Sequence, residues 1–142
     1  MSTAPRSQGP QHNAAHEPPP AQPKRILIVD DEEGLRALCA TFLQRRGYTV
    51  ETSSDGADAW NKLTSATVPY DLLITDNEMP LLDGARLIER VRAAQLPMRI
   101  LTISGSRAKE GLLPIGHGID GSLPKPFTIH DLGKAVRAQL EQ

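Results

Sequence analysis

The chain has 142 residues and a mass of 15.4 kDa, a length that fits one domain rather than two. Its formal net charge of -1 and pI of about 6.4 exclude the broad basic field that non-specific nucleic-acid binding requires. A single cysteine excludes an internal disulfide framework, and the longest aliphatic run, residues 26–29, is too short to span a bilayer. These features predict a cytoplasmic protein without membrane segments.

The first 23 residues differ in composition from the rest of the chain. They hold six of the 12 prolines and contain no Leu, Ile, Val or aromatic residue. Such a segment cannot bury enough apolar surface to offset the entropy lost on ordering. We therefore predict a disordered, Pro-rich N-terminal tail over residues 1–23 and a folded domain over residues 24–142.

The first half of this domain alternates strands with helices. The apolar run at residues 26–29 predicts a buried strand. Apolar residues at helical spacing then predict a helix over residues 35–46, which a glycine ends. Cys39 belongs to the inner face of this helix, where we expect it to pack as a small apolar residue. A strand at residues 49–52 and a helix at residues 57–63 follow.

The same alternation continues to the C-terminus. We predict a third strand over residues 70–75, a third helix over residues 84–94 and a fourth strand over residues 99–103. A short fifth strand at residues 121–123 precedes a last helix that begins near Ile129. Strands that alternate with helices in this way predict a parallel sheet with helices on both faces.

Chemically active side chains follow the predicted strands at their carboxyl ends. They are Asp30, Asp31, Asp76, Ser104 and Lys125. Ligands of open α/β sheets bind at this edge, so a shared site is expected there. Each residue alone has an ordinary explanation, such as a helix N-cap for the acidic pair, but their coincidence at the ends of four strands favours one site.

Three carboxylates at one edge need a counter-charge. Two unit charges about 4 Å apart repel by roughly 4 kcal/mol at an effective dielectric near 20. A hard divalent cation with oxygen ligands, such as Mg²⁺, removes this repulsion. With a lysine and a hydroxyl nearby, the group can hold a phosphoryl group, and one carboxylate can accept it as an aspartyl phosphate.

Four sequence blocks, taken in order, resemble the receiver domain of bacterial two-component response regulators, the CheY-like class. They are residues 26–31 (ILIVDD), 71–84 (DLLITDNEMPLLDG), 100–105 (ILTISG) and 123–127 (LPKPF). The resemblance implies a flavodoxin-like fold, in which a doubly wound, five-stranded parallel sheet has the strand order 2-1-3-4-5. It covers about five-sixths of the chain.

The resemblance also implies roles for the residues at the site. Asp76 would be the phosphoacceptor, Ser104 would bond a phosphoryl oxygen, and Lys125 would pair with the phosphoryl group. The bond between Lys125 and Pro126 would be cis. Gly84 would allow a tight turn into the third helix.

The metal in this family is Mg²⁺, and the resemblance implies its ligands. Asp31 would bind the ion directly, Asp30 would act mainly through a bound water, and Asp76 would complete the acidic set. The backbone carbonyl of Glu78 would supply a further ligand.

Two features depart from the family pattern. Ser122 stands three residues before the lysine, where the family has Tyr or Phe as a switch residue. The stretch expected to form a fourth helix, residues 107–120, contains three glycines and a proline. We therefore predict that this helix is short or irregular.

The predicted function is a phosphoacceptor switch that takes its phosphoryl group from a sensor histidine kinase or a histidine phosphotransfer protein and then acts on a downstream protein. It is not an enzyme in the usual sense, although it would catalyse its own phosphorylation and dephosphorylation. We expect a single-domain regulator without direct nucleic-acid binding, and the sequence leaves dimerisation open. The alternatives are a phosphorylation-independent scaffold and a phosphatase of the haloacid dehalogenase type.

Overall fold

The computed structural model describes residues 22–77, 84–104 and 118–141, and within these ranges strands and helices alternate. The strands are β1 Arg25–Val29, β2 Thr49–Ser53, β3 Leu72–Asp76, β4 Arg99–Ser104 and β5 Gly121–Pro124. The helices are α1 Glu33–Arg45, α2 Gly56–Ser65, α3 Gly84–Ala93 and α4 Ile129–Leu140. No helix in the described ranges has both the length and the apolar character that crossing a membrane requires.

The five strands form one parallel sheet in the order β2-β1-β3-β4-β5, as predicted. Val29 at the end of β1 pairs with Ser53 on one side and with Thr75 on the other. Asp76, the last residue of β3, pairs with Ile103 of β4. The carboxyl ends of all five strands therefore lie at one edge of the sheet.

Apolar residues cover both faces of the sheet, because successive strand residues point to opposite sides. On one face the strands pack against α1 and α4 through residues that include Ile28, Ile74 and Leu132. On the other face they pack against α2 and α3 through residues that include Leu73 and Ile88. This arrangement explains why β1 and β3 read as continuous apolar runs rather than as alternating patterns.

Cys39 packs in the cluster between the sheet and α1, as predicted. Burial, with the nearby Asp30 charge, raises the pKa of its thiol to about 11. The thiolate form is therefore scarce near neutral pH, and the residue acts as a packing group.

The helix ends have recognisable sequence causes. Gly47 follows α1 with a φ of 98°, a conformation that glycine adopts without strain. Asp55 caps α2, since its side chain accepts a hydrogen bond from the Asp58 amide. A capping box between Thr128 and Asp131 begins α4.

Some predicted boundaries are wrong by one or two residues. β3 begins at Leu72 rather than at residue 70, because the Asp71 carboxylate accepts the Arg25 amide at the edge of the ladder, at 2.8 Å. Helix α2 extends to Ser65, where the prediction ends at residue 63. Residues 118–120 are not helical, and the remainder of the predicted fourth helix falls outside the described residues, as does nearly all of the predicted tail.

Candidate metal and phosphoryl site

Three aspartates meet at the carboxyl edge of β1 and β3. Asp30 and Asp31 follow β1, and Asp76 ends β3. One carboxylate oxygen from each lies within 4.8 Å of the others. Asp30 and Asp76 are buried whereas Asp31 is exposed, so the cluster opens to solvent on the side of Asp31.

The neighbouring residues Asp30 and Asp31 differ in burial: Asp30 is buried, whereas Asp31 is exposed. Asp30 is 1% exposed, and its carboxylate lies in the turn between β1 and α1. Burial raises its pKa to about 6, and the Asp76 and Asp31 charges add to this effect. The hydrogen bond from the Glu32 amide to Asp30 Oδ1, at 2.9 Å, acts in the opposite direction but is outweighed.

Lys125 brings a cation to the acidic cluster. Its Nζ lies 3.3 Å from Asp76 Oδ2. Lys125 directly follows β5, and its bond to Pro126 is cis, as predicted. Burial lowers the pKa of Lys125, but the Asp76 and Asp30 carboxylates outweigh it and the net pKa is raised. The amine is therefore protonated at neutral pH.

Ser104 ends β4 at the same edge and is 3% exposed. Its carbonyl accepts the Lys125 amide at 2.7 Å, which ties the loop after β5 to the end of β4. Asp76 and Ser104 lie on adjacent strands, since Asp76 pairs with Ile103, the residue before the serine. The structure thus places all five predicted residues at one edge of the sheet.

The helix-cap explanation for the acidic pair is wrong. The N-cap of α1 is Glu32, and no side chain in the described residues caps this helix. Asp30 instead accepts the Glu32 amide within the turn before the helix. The Asp31 carboxylate lies with the acidic cluster.

Gly84 has a role that turn chemistry alone does not reveal. It begins α3 close to the end of β3, and a Cβ at this position would overlap the Asp76 carbonyl oxygen and lie 2.9 Å from Asn77 Cα. A residue without a side chain is required because the helix and the end of β3 approach so closely.

Sequence reasoning missed Arg36. Its Nη1 donates a hydrogen bond of 2.7 Å to the Asp30 carbonyl. Arg36 is the fourth residue of α1, and an arginine at such a position is usually a solvent-exposed surface residue, so the sequence gives no sign of this contact. Only the missing side-chain cap before the helix hints that the turn needs another support.

The acidic cluster fits Mg²⁺. Mg²⁺ prefers carboxylate and carbonyl oxygens, and the cluster offers three carboxylates. Asp30 Oδ2 is buried and has no hydrogen-bond partner among the described residues. A buried charged oxygen in this state is strongly disfavoured unless a cation or a proton satisfies it. The predicted carbonyl ligand, Glu78, lies outside the described residues.

Ser122 occupies the position of the family's aromatic switch residue. It is half-buried on β5 and pairs with Thr102 of β4, on the same side of the sheet as Ser104. Ser122 therefore brings a small hydroxymethyl side chain beside Thr102, two residues before Ser104 on β4. The family pattern has an aromatic ring at this position.

Comparison with known proteins agrees with this architecture. The response regulator receiver domain family matches residues 26–137. The chain is 38% identical over 120 residues to the response regulator GtcR of Aneurinibacillus migulanus, covering 84% of this chain and 48% of that protein. It is 34% identical over 120 residues to the alkaline phosphatase synthesis transcriptional regulatory protein PhoP of Bacillus subtilis, covering 84% and 49%.

A solved structure with the same fold comes from Thermotoga maritima. The response regulator protein TrrA, in complex with Mg²⁺ and BeF, has a TM-score of 0.72 and 32% identity, over 82% of this chain and 99% of that one. The ligands in that crystal belong to TrrA. Its fold agrees with the five-stranded order found here.

The chain spans about half the length of the curated relatives it matches. The comparisons therefore do not support the expected single-domain organisation. They also do not support the expected lack of nucleic-acid binding, because one relative is named a transcriptional regulatory protein. The match over residues 26–137, together with the fold, shows that the chain belongs to the response regulator receiver domain family.

Proposed function

We propose that this chain is a phosphoacceptor switch of a two-component or phosphorelay system, with Asp76 as the acceptor. One observation carries the proposal: the carboxylates of Asp30, Asp31 and Asp76 converge within 4.8 Å, and Lys125 Nζ lies 3.3 Å from Asp76 Oδ2. A phosphoryl group on Asp76 would adjoin both a fixed ammonium and an oxygen-rich cation site.

The transfer is a substitution at phosphorus. A carboxylate oxygen of Asp76 forms a bond to phosphorus while the bond from phosphorus to a donor histidine nitrogen breaks, and the imidazole takes up a proton. Lys125 stabilises the charge on the transferring oxygens, because its amine is protonated and already held at the acceptor. Ser104 donates its hydroxyl to a phosphoryl oxygen from the end of β4.

Asp30, Asp31 and the Glu78 carbonyl would hold Mg²⁺ beside Asp76. When bound, Mg²⁺ neutralises charge on the acceptor and on the phosphoryl oxygens. The exposed Asp31 would be the direct ligand, and the buried Asp30 would act mainly through water. Through these residues the chain would catalyse its own phosphorylation and dephosphorylation, without turning over an external substrate.

Signalling requires that a partner distinguish two states of the chain. The charge added at Asp76 would shift the ends of β4 and β5 through its contacts with Ser104 and Lys125. These two residues are already linked, because the Lys125 amide donates a hydrogen bond to the Ser104 carbonyl. The donor would be a sensor histidine kinase or a histidine phosphotransfer protein in the cytoplasm, and the reader a downstream protein. Residues 1–23 would be a tail outside this switch, and residues 24–142 the receiver domain.

The experiment uses acetyl phosphate, and separately beryllofluoride, with Mg²⁺ and the full chain. We expect the wild type to gain one phosphoryl group by mass and to bind beryllofluoride, and Asp76→Asn to do neither. Asp71→Asn is the matched control. Asp71 directly precedes β3, at the opposite end of the strand from Asp76. The side-chain oxygen of asparagine can still accept the hydrogen bond from the Arg25 amide. Equal modification of the Asp76 variant would refute the assignment.

Two further measurements, of partner affinity and of phosphoester turnover, separate the alternatives. A scaffold predicts equal partner affinity with and without beryllofluoride, and Ser122 is the feature that favours it. A phosphatase of the haloacid dehalogenase type predicts turnover of an external phosphoester. That type carries Asp-x-Asp after its first strand, whereas this chain has adjacent aspartates, Asp30 and Asp31, so we rank it last.

A further inference from the structure

The turn between β1 and α1 carries two of the three acidic residues, and within the described ranges three hydrogen bonds hold its first residue, Asp30. The Asp30 amide donates to the Ser53 carbonyl of β2 at 3.1 Å. The Asp30 carboxylate accepts the Glu32 amide at 2.9 Å, within the turn itself. The Asp30 carbonyl accepts Arg36 Nη1 at 2.7 Å. Of the three, the last is the one bond made by a side chain from the helix.

The helix that follows lacks the usual devices that fix its entry. Its N-cap residue, Glu32, has an extended backbone and makes no capping bond through its side chain among the described residues. Gly34, the second residue of the helix, adds backbone freedom rather than removing it. Arg36 compensates, because a guanidinium one turn into α1 reaches back to a carbonyl before the helix.

We propose that Arg36 is a positioning residue for the cation site: by holding the Asp30 carbonyl, it fixes the direction in which the Asp30 carboxylate leaves the backbone. This inference rests on the proposed function. The carbonyl and the carboxylate belong to one residue, so a backbone rotation at Asp30 moves Oδ2 away from Asp31 and Asp76. Among the described residues, the carboxylate itself is held only by the hydrogen bond from the Glu32 amide to Oδ1, because the buried Oδ2 has no hydrogen-bond partner there.

Charge and positioning predict opposite effects on cation affinity. Arg36 is a cation close to a cation site, so removal of its charge alone would tighten Mg²⁺ binding. Loss of the hydrogen bond to the Asp30 carbonyl would weaken Mg²⁺ binding, because the carboxylate that holds the ion's water would then spend less time in the required direction. The sign of the change therefore separates the two roles.

The test compares Arg36→Met with Arg36→Lys in the full chain, with Mg²⁺ binding measured by isothermal titration calorimetry. Methionine keeps the apolar stem and removes the donor, whereas lysine keeps a charged donor. We expect Arg36→Met to weaken Mg²⁺ binding by about tenfold and Arg36→Lys to recover most of the loss. Arg45→Met is the control, because Arg45 is an exposed arginine in the last turn of the same helix.

A second measurement needs no metal. In the magnesium-free protein, the Glu32 amide is held by the Asp30 carboxylate, so its hydrogen exchange reports how well that carboxylate keeps its place. We expect Arg36→Met to speed this exchange selectively, relative to amides of β1, and Arg45→Met to leave it unchanged. A general loss of stability would instead speed exchange throughout the core.

The possible outcomes are distinct. If the wild type binds Mg²⁺ and Arg36→Met binds it equally well or more tightly, with Glu32 exchange unchanged, the positioning role is overturned and the proposed function stands. If the wild type binds neither Mg²⁺ nor beryllofluoride, both are overturned.

Discussion

Replacement of Asp30 by asparagine should stabilise the magnesium-free protein. Asp30 is 1% exposed, lies beside two other carboxylates and has one oxygen without a hydrogen-bond partner among the described residues. Asparagine keeps the shape, and its carbonyl can still accept the Glu32 amide. The side-chain NH₂ of asparagine can donate a hydrogen bond to the neighbouring carboxylates, which the Asp30 carboxylate repels.

The raised pKa of Asp30 sets the magnitude. The pKa is 3.8 for an ordinary aspartate and about 6 for Asp30 in the folded protein. Each tenfold difference in proton affinity is worth about 1.4 kcal/mol, so the charged form destabilises the fold by about 3 kcal/mol. For a domain of this size, this corresponds to roughly 10 °C in Tm.

The effect depends on pH with a defined sign. Below pH 4 both the folded and the unfolded protein hold the proton on residue 30, and the charge contributes nothing. Between pH 4 and pH 6 the folded state keeps the proton and the unfolded state loses it, so stability falls as pH rises. Above pH 6 the whole penalty of about 3 kcal/mol is present.

Urea unfolding of wild type and Asp30→Asn, followed from pH 4 to pH 8 without metal, measures this difference. We expect the two curves to meet near pH 4 and to separate by about 3 kcal/mol at pH 7.5. The control Asp31→Asn removes the same charge from an exposed position, where an effect of about 1 kcal/mol or less is expected. Parallel pH profiles for wild type and Asp30→Asn would show that burial of this carboxylate does not govern the stability.

Two further substitutions test the packing around the site and its opposite edge. Gly84→Ala should destabilise the fold by about 1–3 kcal/mol and slow phosphorylation by acetyl phosphate, because the new methyl group displaces the Asp76 carbonyl. A folded variant that is phosphorylated at the wild-type rate would contradict this account. Arg92→Ala should destabilise the fold by about 2 kcal/mol, because Arg92 donates hydrogen bonds to three backbone carbonyls and to Asp120. The control Arg90→Ala should change the urea midpoint little. Among the contacts described, the Arg90 side chain touches only the ring of Trp60.

The sequence predicted the sheet and the site for physical reasons that act locally. Apolar runs of strand length mark β1 and β3 because both faces of these strands are buried. Acidic residues at the ends of such runs can only lie at the carboxyl edge of a parallel sheet. The convergence of Asp30, Asp31 and Asp76 follows from these two facts and from the strand order.

Other features depend on distances that the sequence does not contain. The support of Asp30 by Arg36 requires that a helical side chain reach back past an uncapped helix start. The need for glycine at residue 84 arises from a helix that passes against the end of β3, not from turn geometry. β3 begins two residues later than the apolar pattern predicts, because the Asp71 side chain replaces a backbone acceptor for the Arg25 amide.

If Asp30 takes part in the proposed cation site, the burial that raises its pKa also makes Mg²⁺ affinity depend on pH. A proton and Mg²⁺ compete for the same carboxylate, so Mg²⁺ affinity should be constant above pH 6 and fall below it, by about tenfold at pH 5. Calorimetric titrations of the wild type between pH 5 and pH 8 measure this dependence. In Asp30→Asn, Mg²⁺ binding should be weak and much less dependent on pH over this range, because residue 30 no longer titrates. A wild-type affinity that does not change between pH 5 and pH 7 would mean that Asp30 is not part of the cation site, even though its carboxylate lies within 4.8 Å of the other two.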